Sequence, residues 1–483
     1  MAIDPALRRL ALRTLLAAFP GPTPPPWALD LAADGLAGYT LFGFNIVDRD
    51  QVAACTAALR AANPSVIVAI DEEGGDVTRL AHRTGSPYPG NAALGALDDV
   101  EVTRAVYRAI GAELAAVGVT VDLAPTVDVN TADDNPIIGT RSFGADTALV
   151  AAHTAAAVEG LQETRVAACA KHFPGHGATV ADSHLELPTV DVPLAVFRER
   201  DLPPFAAAVA AGTRSVMTAH IRVPELTGDA PATFSRAALH DLLRGELGFT
   251  GALITDALEM KGAAVVAGGT AQAAPLALAA GADLLCIGAD IDAPLVEETA
   301  AEIVAAIQDG RLAAARVEEA AERTADLAAW TDQAATTRTE TPESLGYDAA
   351  RRAVRVEGDP LVGSEPLVIE LAATSTIAEG RVPWGLGGHV DGAEQIRAVA
   401  ATTGADELLA RAAGRPIVVV ARHAHRLANA TELIEALAAR HPVTVVEMGW
   451  PSSWRPAGVR AFVTTFGASH ANGRAAAAVL GLR

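Results

Sequence analysis

One repeated unit constrains this chain more than any other feature. Short apolar runs rich in β-branched residues recur at 39–42, 66–70, 120–123, 166–170, 215–219, 252–255 and 283–287. Between them lie alanine-rich stretches with helical spacing, such as 101–117, 145–163 and 195–211. Strand–helix–strand repetition predicts a parallel sheet with both faces covered. Seven candidate strands precede residue 290, whereas a closed (β/α) barrel needs eight. Periodicity therefore leaves a doubly wound open sheet as the alternative. The polar residues favour a ring. Asp71 follows 66–70, Lys171 and His172 follow 166–170, His220 follows 215–219, and Asp256 follows 252–255. A barrel opens all its strand carboxyl ends on one face and places chemistry there. An open sheet concentrates it near one switch point.

At 483 residues the chain exceeds the size of a usual single core, so two domains are expected. A helix over about 311–330 precedes a Thr-, Pro- and charge-rich segment without apolar periodicity, 331–344, which reads as a linker. Beyond it, 367–371, 417–420, 443–446 and 461–465 look like strands, with a helix near 430–440. The expected architecture is a (β/α)8 barrel over 1–330 and a smaller α/β sandwich over 345–483.

A net charge of −21 repels polyanions, which argues against nucleic-acid partners. The three cysteines, Cys55, Cys169 and Cys286, make an odd set without metal-ligand spacing and suit a reducing compartment. The start of the chain, Arg8 and Arg9 followed by LALRTLLAAF, reads as an opening amphipathic helix rather than a leader. No apolar run reaches a membrane-spanning length. A cytoplasmic location and no membrane partner are expected.

Chemistry concentrates in KHFPGHGATVADSH, 171–184. Pro174, Gly175 and Gly177 force a loop that carries His176, Asp182 and His184. Residues two apart in an extended loop project to one side. Asp182 can then accept from one ring nitrogen of His184, fix its tautomer and leave the other nitrogen for a leaving oxygen; the bland reading is a loop-stabilising pair. Asp256 either faces a substrate or caps a helix beginning at ALEM. Asp71, Glu72 and Glu73 crowd three carboxylates into one turn, which calls for cations, and Arg79 is close in sequence. No accompanying ligand set supports a metal there.

These residues resemble glycoside hydrolase family 3, in its bacterial β-N-acetylhexosaminidase branch. The marker is the intact 171–184 run. LFGFNI at 41–46, DEEGG-x-V-x-R at 71–79, IGTRSFG at 138–144, VMTAHI at 216–221 and ITDALEM at 254–260 follow the family order. TTFGASHANGRAA at 464–476 is a weaker likeness to the second domain of two-domain members. The resemblance implies a catalytic barrel with Asp256 as nucleophile and His184, oriented by Asp182, as acid/base. It implies sugar-binding roles for Asp71, Arg79, Arg141, Lys171 and His172, with His176 shaping the loop. Members commonly read DQEGGRV where this chain has DEEGGDV, so Asp76 reverses a charge near the expected sugar site.

The implied reaction is retaining, exo-acting hydrolysis of terminal β-linked N-acetylglucosamine through a glycosyl-Asp intermediate, with a small carbohydrate substrate and no metal or organic cofactor. A muropeptide or chitobiose would suit such an enzyme. Two alternatives stand beside it. A neutral histidine base does not repel an anionic acceptor, which admits a phosphorylase. The change at Asp76 admits a non-catalytic sugar-binding relative.

Overall fold

The computed structural model describes residues 4–289, 291–332, 342–363 and 365–482. Most of the expected linker, 331–344, lies outside the described residues. The chain forms two compact units. One comprises Met1–Glu72, Thr103–Ile138 and Ala145–Glu340; the other comprises Glu73–Val102, Gly139–Gly144 and Thr341–Arg483. Two segments that lie in sequence among the barrel strands thus pack with the C-terminal part. The reason is local: Asp76 and Arg79 bond to residues in 378–468, and Thr140 and Arg141 bond back to Asp76 and Glu73.

The first unit is built on eight parallel strands: β1 (Leu15–Ala17), β2 (Gly38–Leu41), β3 (Ile67–Ile70), β4 (Val121–Asp122), β5 (Ala167–Phe173), β6 (Ser215–Thr218), β7 (Ala252–Thr255) and β8 (Leu285–Cys286). From β1 to β7 each pairs with its neighbour in sequence, β1 also pairs with β8, and an isolated Ile254–Leu284 bridge with flanking backbone bonds joins β7 to the β8 region. The ring is closed, so the open-sheet alternative falls. The unplaced eighth strand is β1, inside the stretch read as one opening helix. That helix covers only Pro5–Leu12, its first turn capped by Asp4, and chain pairing takes over at Leu15. Three wholly buried residues carry no periodicity, and a flanking helix pattern swallows them. The expected helix over 195–211 is two helices, Leu194–Arg200 and Pro203–Ala210, because Pro203 and Pro204 favour a fresh first turn.

Small and branched residues fill the barrel interior. Leu16, Ile67, Ala69, Val121, Cys169, Met217, Ile254 and Cys286 belong to one buried cluster. Cys169 and Cys286 serve there as small apolar groups, and burial pushes both thiols up to about 12. The final helix, Ala314–Thr331, adds Leu327, Ala328 and Trp330 to the same cluster. The Trp330 ring carries the guanidinium groups of Arg165 and Arg214, 5.1 and 4.8 Å from its centroid. Both arginines precede strands, so Trp330 packs at the amino-terminal end and leaves the carboxyl end for chemistry.

The second unit is a six-stranded sheet ordered β11-β10-β12-β13-β14-β9. Its strands are β9 (Arg355–Gly358), β10 (Leu367–Leu371), β11 (Glu394–Ala398), β12 (Ile417–Ala421), β13 (Val443–Glu447) and β14 (Ala461–Thr464). All pairings are parallel except β14 with β9. Alternation is strict. Leu367, Ile369, Leu371, Ile417 and Val419 pack into one apolar cluster, and Val368, Val418 and Val420 pack into another. Both faces are therefore covered, as an α/β sandwich requires.

Candidate active site

The barrel's carboxyl-terminal end carries the charged residues. Asp71 follows β3 directly, and its Oδ1 accepts from Lys171 Nζ at 2.8 Å. Lys171 and His172 lie within β5, which runs on to Phe173 rather than ending before them. The Lys171 side chain is only 2% exposed, so its ammonium needs this partner.

His172 is held from below by a residue outside the expected set. Asp128 Oδ2 accepts from His172 Nδ1 at 2.7 Å, and Asp128 Oδ1 accepts the His176 backbone N–H at 2.6 Å. Burial pushes the Asp128 carboxyl up, but His172 and His176 outweigh it and hold the group below the usual carboxylate range. Pairing of the chain after β4 with Lys171 brings Asp128 here: Thr126 bridges to Lys171, and Val127 N–H donates to Lys171 O. Asp128 lies five residues past the 120–123 run, whereas Asp71 follows 66–70 at once, so only a strand-end search widened by a few residues finds it. A second such group is Asp122, whose Oδ1 accepts the Glu72 N–H at 3.0 Å. Burial pushes its carboxyl well above the usual range.

Beyond β5 the loop turns on Gly177, where a Cβ would sit 2.0 Å from Val129 O. His176 then pins the loop, its Nδ1 against Thr179 Oγ1 at 2.7 Å and its Nε2 against Ser183 Oγ at 3.2 Å. Burial pushes His176 down to about 4, so it is neutral near pH 7. The Asp182–His184 contact is present. Asp182 Oδ1 accepts from His184 Nδ1 at 2.6 Å and from the His184 backbone N–H at 2.9 Å. Both side chains keep some exposure, 15% and 21%.

Asp256 follows β7. Its Oδ1 accepts the Ala257 N–H at 2.8 Å, but the next helix begins only at Lys261, with Met260 at its cap. The helix-cap reading therefore fails. Burial pushes the Asp256 carboxyl up, yet the fields of His220, His172 and His184 prevail and hold it below the ordinary range, ionised. His220 is itself buried and lowered by that burial, bonded to Thr233 Oγ1 at 2.8 Å and to Ala257 O at 3.0 Å. An ionised, partly exposed carboxylate and an imidazole oriented by a second carboxylate thus share one barrel mouth. That pair can act as nucleophile and proton donor.

Arg79 and Arg141 belong to the second unit. Arg141 makes a fork on buried Glu73, Nε to Oε2 at 3.0 Å and Nη2 to Oε1 at 2.7 Å. Arg79 donates from Nη2 to Ala378 O at 2.8 Å and from Nη1 to Glu379 O at 3.4 Å. Asp76 also has a role there. Its Oδ2 accepts from Thr140 Oγ1 at 2.7 Å and Arg422 Nη2 at 3.3 Å, and its Oδ1 accepts the Ala468 N–H at 2.7 Å. Lys171 serves Asp71 and Arg141 serves Glu73, so the reversed charge at 76 leaves neither of those carboxylates without a cation. Among the described residues no group of three or more His, Cys, Asp or Glu side chains is arranged to hold a metal ion, and no single helix is long and apolar enough to cross a membrane.

The family model for the glycosyl hydrolase family 3 N-terminal domain matches residues 28–327. A β-hexosaminidase of Stenotrophomonas maltophilia (strain K279a) is 38% identical over 265 residues, covering 53% of this chain and 77% of that protein. β-Hexosaminidase A of Pseudoalteromonas piscicida is 36% identical over 261 residues, 50% of this chain and 44% of that protein. The structure of a glycoside hydrolase family 3 β-N-acetylglucosaminidase from Paenibacillus sp. str. FPU-7 superposes with a TM-score of 0.87 at 28% identity, covering 99% of this chain and 97% of that one.

Proposed function

Since the chain belongs to glycosyl hydrolase family 3, we propose that this glycoside hydrolase removes terminal β-linked N-acetylglucosamine by a retaining, double-displacement route. Asp256 attacks the anomeric carbon as the glycosidic C–O bond breaks through an oxocarbenium-like transition state. His184 delivers its Nε2 proton to the departing oxygen. The covalent glycosyl-Asp256 ester then meets a water. His184, now neutral, takes a proton from that water, whose oxygen displaces the Asp256 carboxylate and releases the sugar. Asp182 holds the His184 tautomer and stabilises the imidazolium. Asp71, Lys171 and His172 grip sugar hydroxyls, and the N-acetyl group is recognised rather than used as a nucleophile.

The observation that carries this reading is the 2.6 Å contact between Asp182 Oδ1 and His184 Nδ1, on a loop whose imidazole lies within the field of an ionised Asp256. The test is turnover of an aryl β-N-acetylglucosaminide beside the matching β-glucoside in phosphate-free buffer. Preference for the N-acetyl sugar with retention supports the reading; no turnover of either by folded protein overturns it. A neutral base also admits phosphate as acceptor, and identifying the product as free sugar or sugar 1-phosphate with phosphate added separates the two.

A further inference from the structure

We propose that Asp128 is a positioning residue of this active site, one buried carboxylate that fixes the His172 ring and the root of the acid/base loop together. The inference rests on the functional reading above, because it concerns how that site is held. Asp128 is 1% exposed, so every oxygen lone pair it carries must be matched from inside the protein. Oδ2 takes His172 Nδ1 at 2.7 Å. Oδ1 takes His176 N–H at 2.6 Å, and both oxygens stand 3.3 Å from the His172 N–H. An ionised carboxylate only accepts, so Nδ1 of His172 must carry a proton and Nε2 is the nitrogen turned to other work. The second grip fixes where the loop leaves β5. Three neighbouring contacts make that root rigid. Asn135 Nδ2 donates to His176 O at 3.0 Å, Gly177 presses against Val129 with no room for a Cβ, and His176 spans Thr179 and Ser183. Ser183 sits between Asp182 and His184 in the chain. One carboxylate therefore sets both a group that acts on the Asp256 field and the departure of the loop that bears the proton donor.

The substitution Asp128→Asn separates this role from mere packing. The side chain keeps its shape but has a single acceptor oxygen. That oxygen goes to the backbone N–H groups, and the amide NH2 then faces His172 Nδ1. The expected result is a reversed tautomer, with Nδ1 accepting and the proton on Nε2. Imidazole nitrogen NMR reads this directly, with His172→Gln identifying the resonances. kcat/KM for the aryl N-acetylglucosaminide falls roughly 10- to 100-fold, the range seen where a metal-bound histidine loses the outer partner that orients it. In the His172→Gln background the same change adds little, because the two residues act as one unit. The wild-type spectrum is a check that needs no variant: His172 Nδ1 must be protonated. An unprotonated Nδ1 in the wild type overturns the proposal. So does an unchanged tautomer in folded Asp128→Asn, or an equal loss of kcat/KM with and without His172. If the wild type turns over neither aryl sugar, the functional reading fails, and the spectra still decide whether Asp128 sets the tautomer.

Discussion

Both sheets place charged residues just past their strand carboxyl ends, and the two units use them oppositely. In the barrel, Asp256, Asp182 and His184 stay partly exposed, and each acid is held ionised by nearby histidines. In the second unit, Arg422 after β12 is shared between Asp76 and Glu379. Glu447, the last residue of β13, is fully buried and spends its oxygens on the N–H groups of His423, Ala424 and Gly449, at 2.7, 2.9 and 2.8 Å. The first arrangement leaves valence for a substrate; the second consumes its own. A polar residue after a strand is thus a site only when its neighbours leave it unfinished, and the same sequence cue marks structural clasps elsewhere.

If this contrast is right, substitutions in the barrel mouth remove turnover and spare folding. The largest effect is expected for Asp256→Ala, a loss of kcat on the order of 10⁴-fold or more with an unchanged unfolding midpoint. Steady-state kinetics and urea unfolding on the same preparation read both. Activity that survives would move the nucleophile elsewhere. His184→Ala sharpens the assignment by leaving group. A disaccharide, whose alkoxide needs a proton, loses roughly 10²–10⁴-fold, whereas a dinitrophenyl glycoside loses far less in the glycosylation step. Equal losses for both would deny His184 the role of acid.

The opposite pattern is expected in the second unit. Arg422→Ala strands two buried carboxylates, and breaking such a pair costs about 3–5 kcal/mol. Urea unfolding measures it. Adding Asp76→Asn and Glu379→Gln removes the stranded charge and restores most of the loss. If Arg422→Ala unfolds no more easily than the wild type, the clasp reading of Asp76 fails, and the departure from the family motif again becomes a question about substrate.

What could be read in the chain tracks how local each signal is. The barrel strands from β2 onward lie in apolar runs of four or five residues, and those of β3, β5, β6 and β7 lead into Asp71, Lys171, His220 and Asp256. β1 is three residues beside a helix pattern, and β9 and β11 are charged edge strands, RVEG and EQIRA, whose pairing no apolar run records. The Asp182–His184 contact is legible because its partners are two apart. Asp128 meets His172 across 44 residues, through the pairing of β4 with β5, and only the fold brings them together. The same holds for Asp76: its partner Arg422 lies 346 residues away, so the charge reversal has no meaning until the clasp is seen.

A smaller test asks whether neutral buried histidines belong to the site or to the architecture. Burial holds His176 in the barrel at about 4 and His423 in the second unit at about 3, against an ordinary value near 6.5. Between about pH 6.5 and 4 the unfolded chain takes up a proton at each position and the folded chain does not. Stability therefore rises with pH across that window and is lost on acidification, by about 1.4 kcal/mol per pH unit for each histidine at full effect. The depressed carboxylates, Asp128, Asp182 and Asp256, add their loss only lower, as pH falls past the unfolded carboxylate value of about 3.9. Urea unfolding from pH 7 to 4 should show a slope that flattens by one proton in His176→Gln and again in His423→Gln. An unflattened slope in either variant means that histidine is charged in the fold. Equal flattening in both would show that desolvated histidine is common to the two units, and that what singles out the barrel mouth is the pairing of its acids rather than the neutrality of its imidazoles.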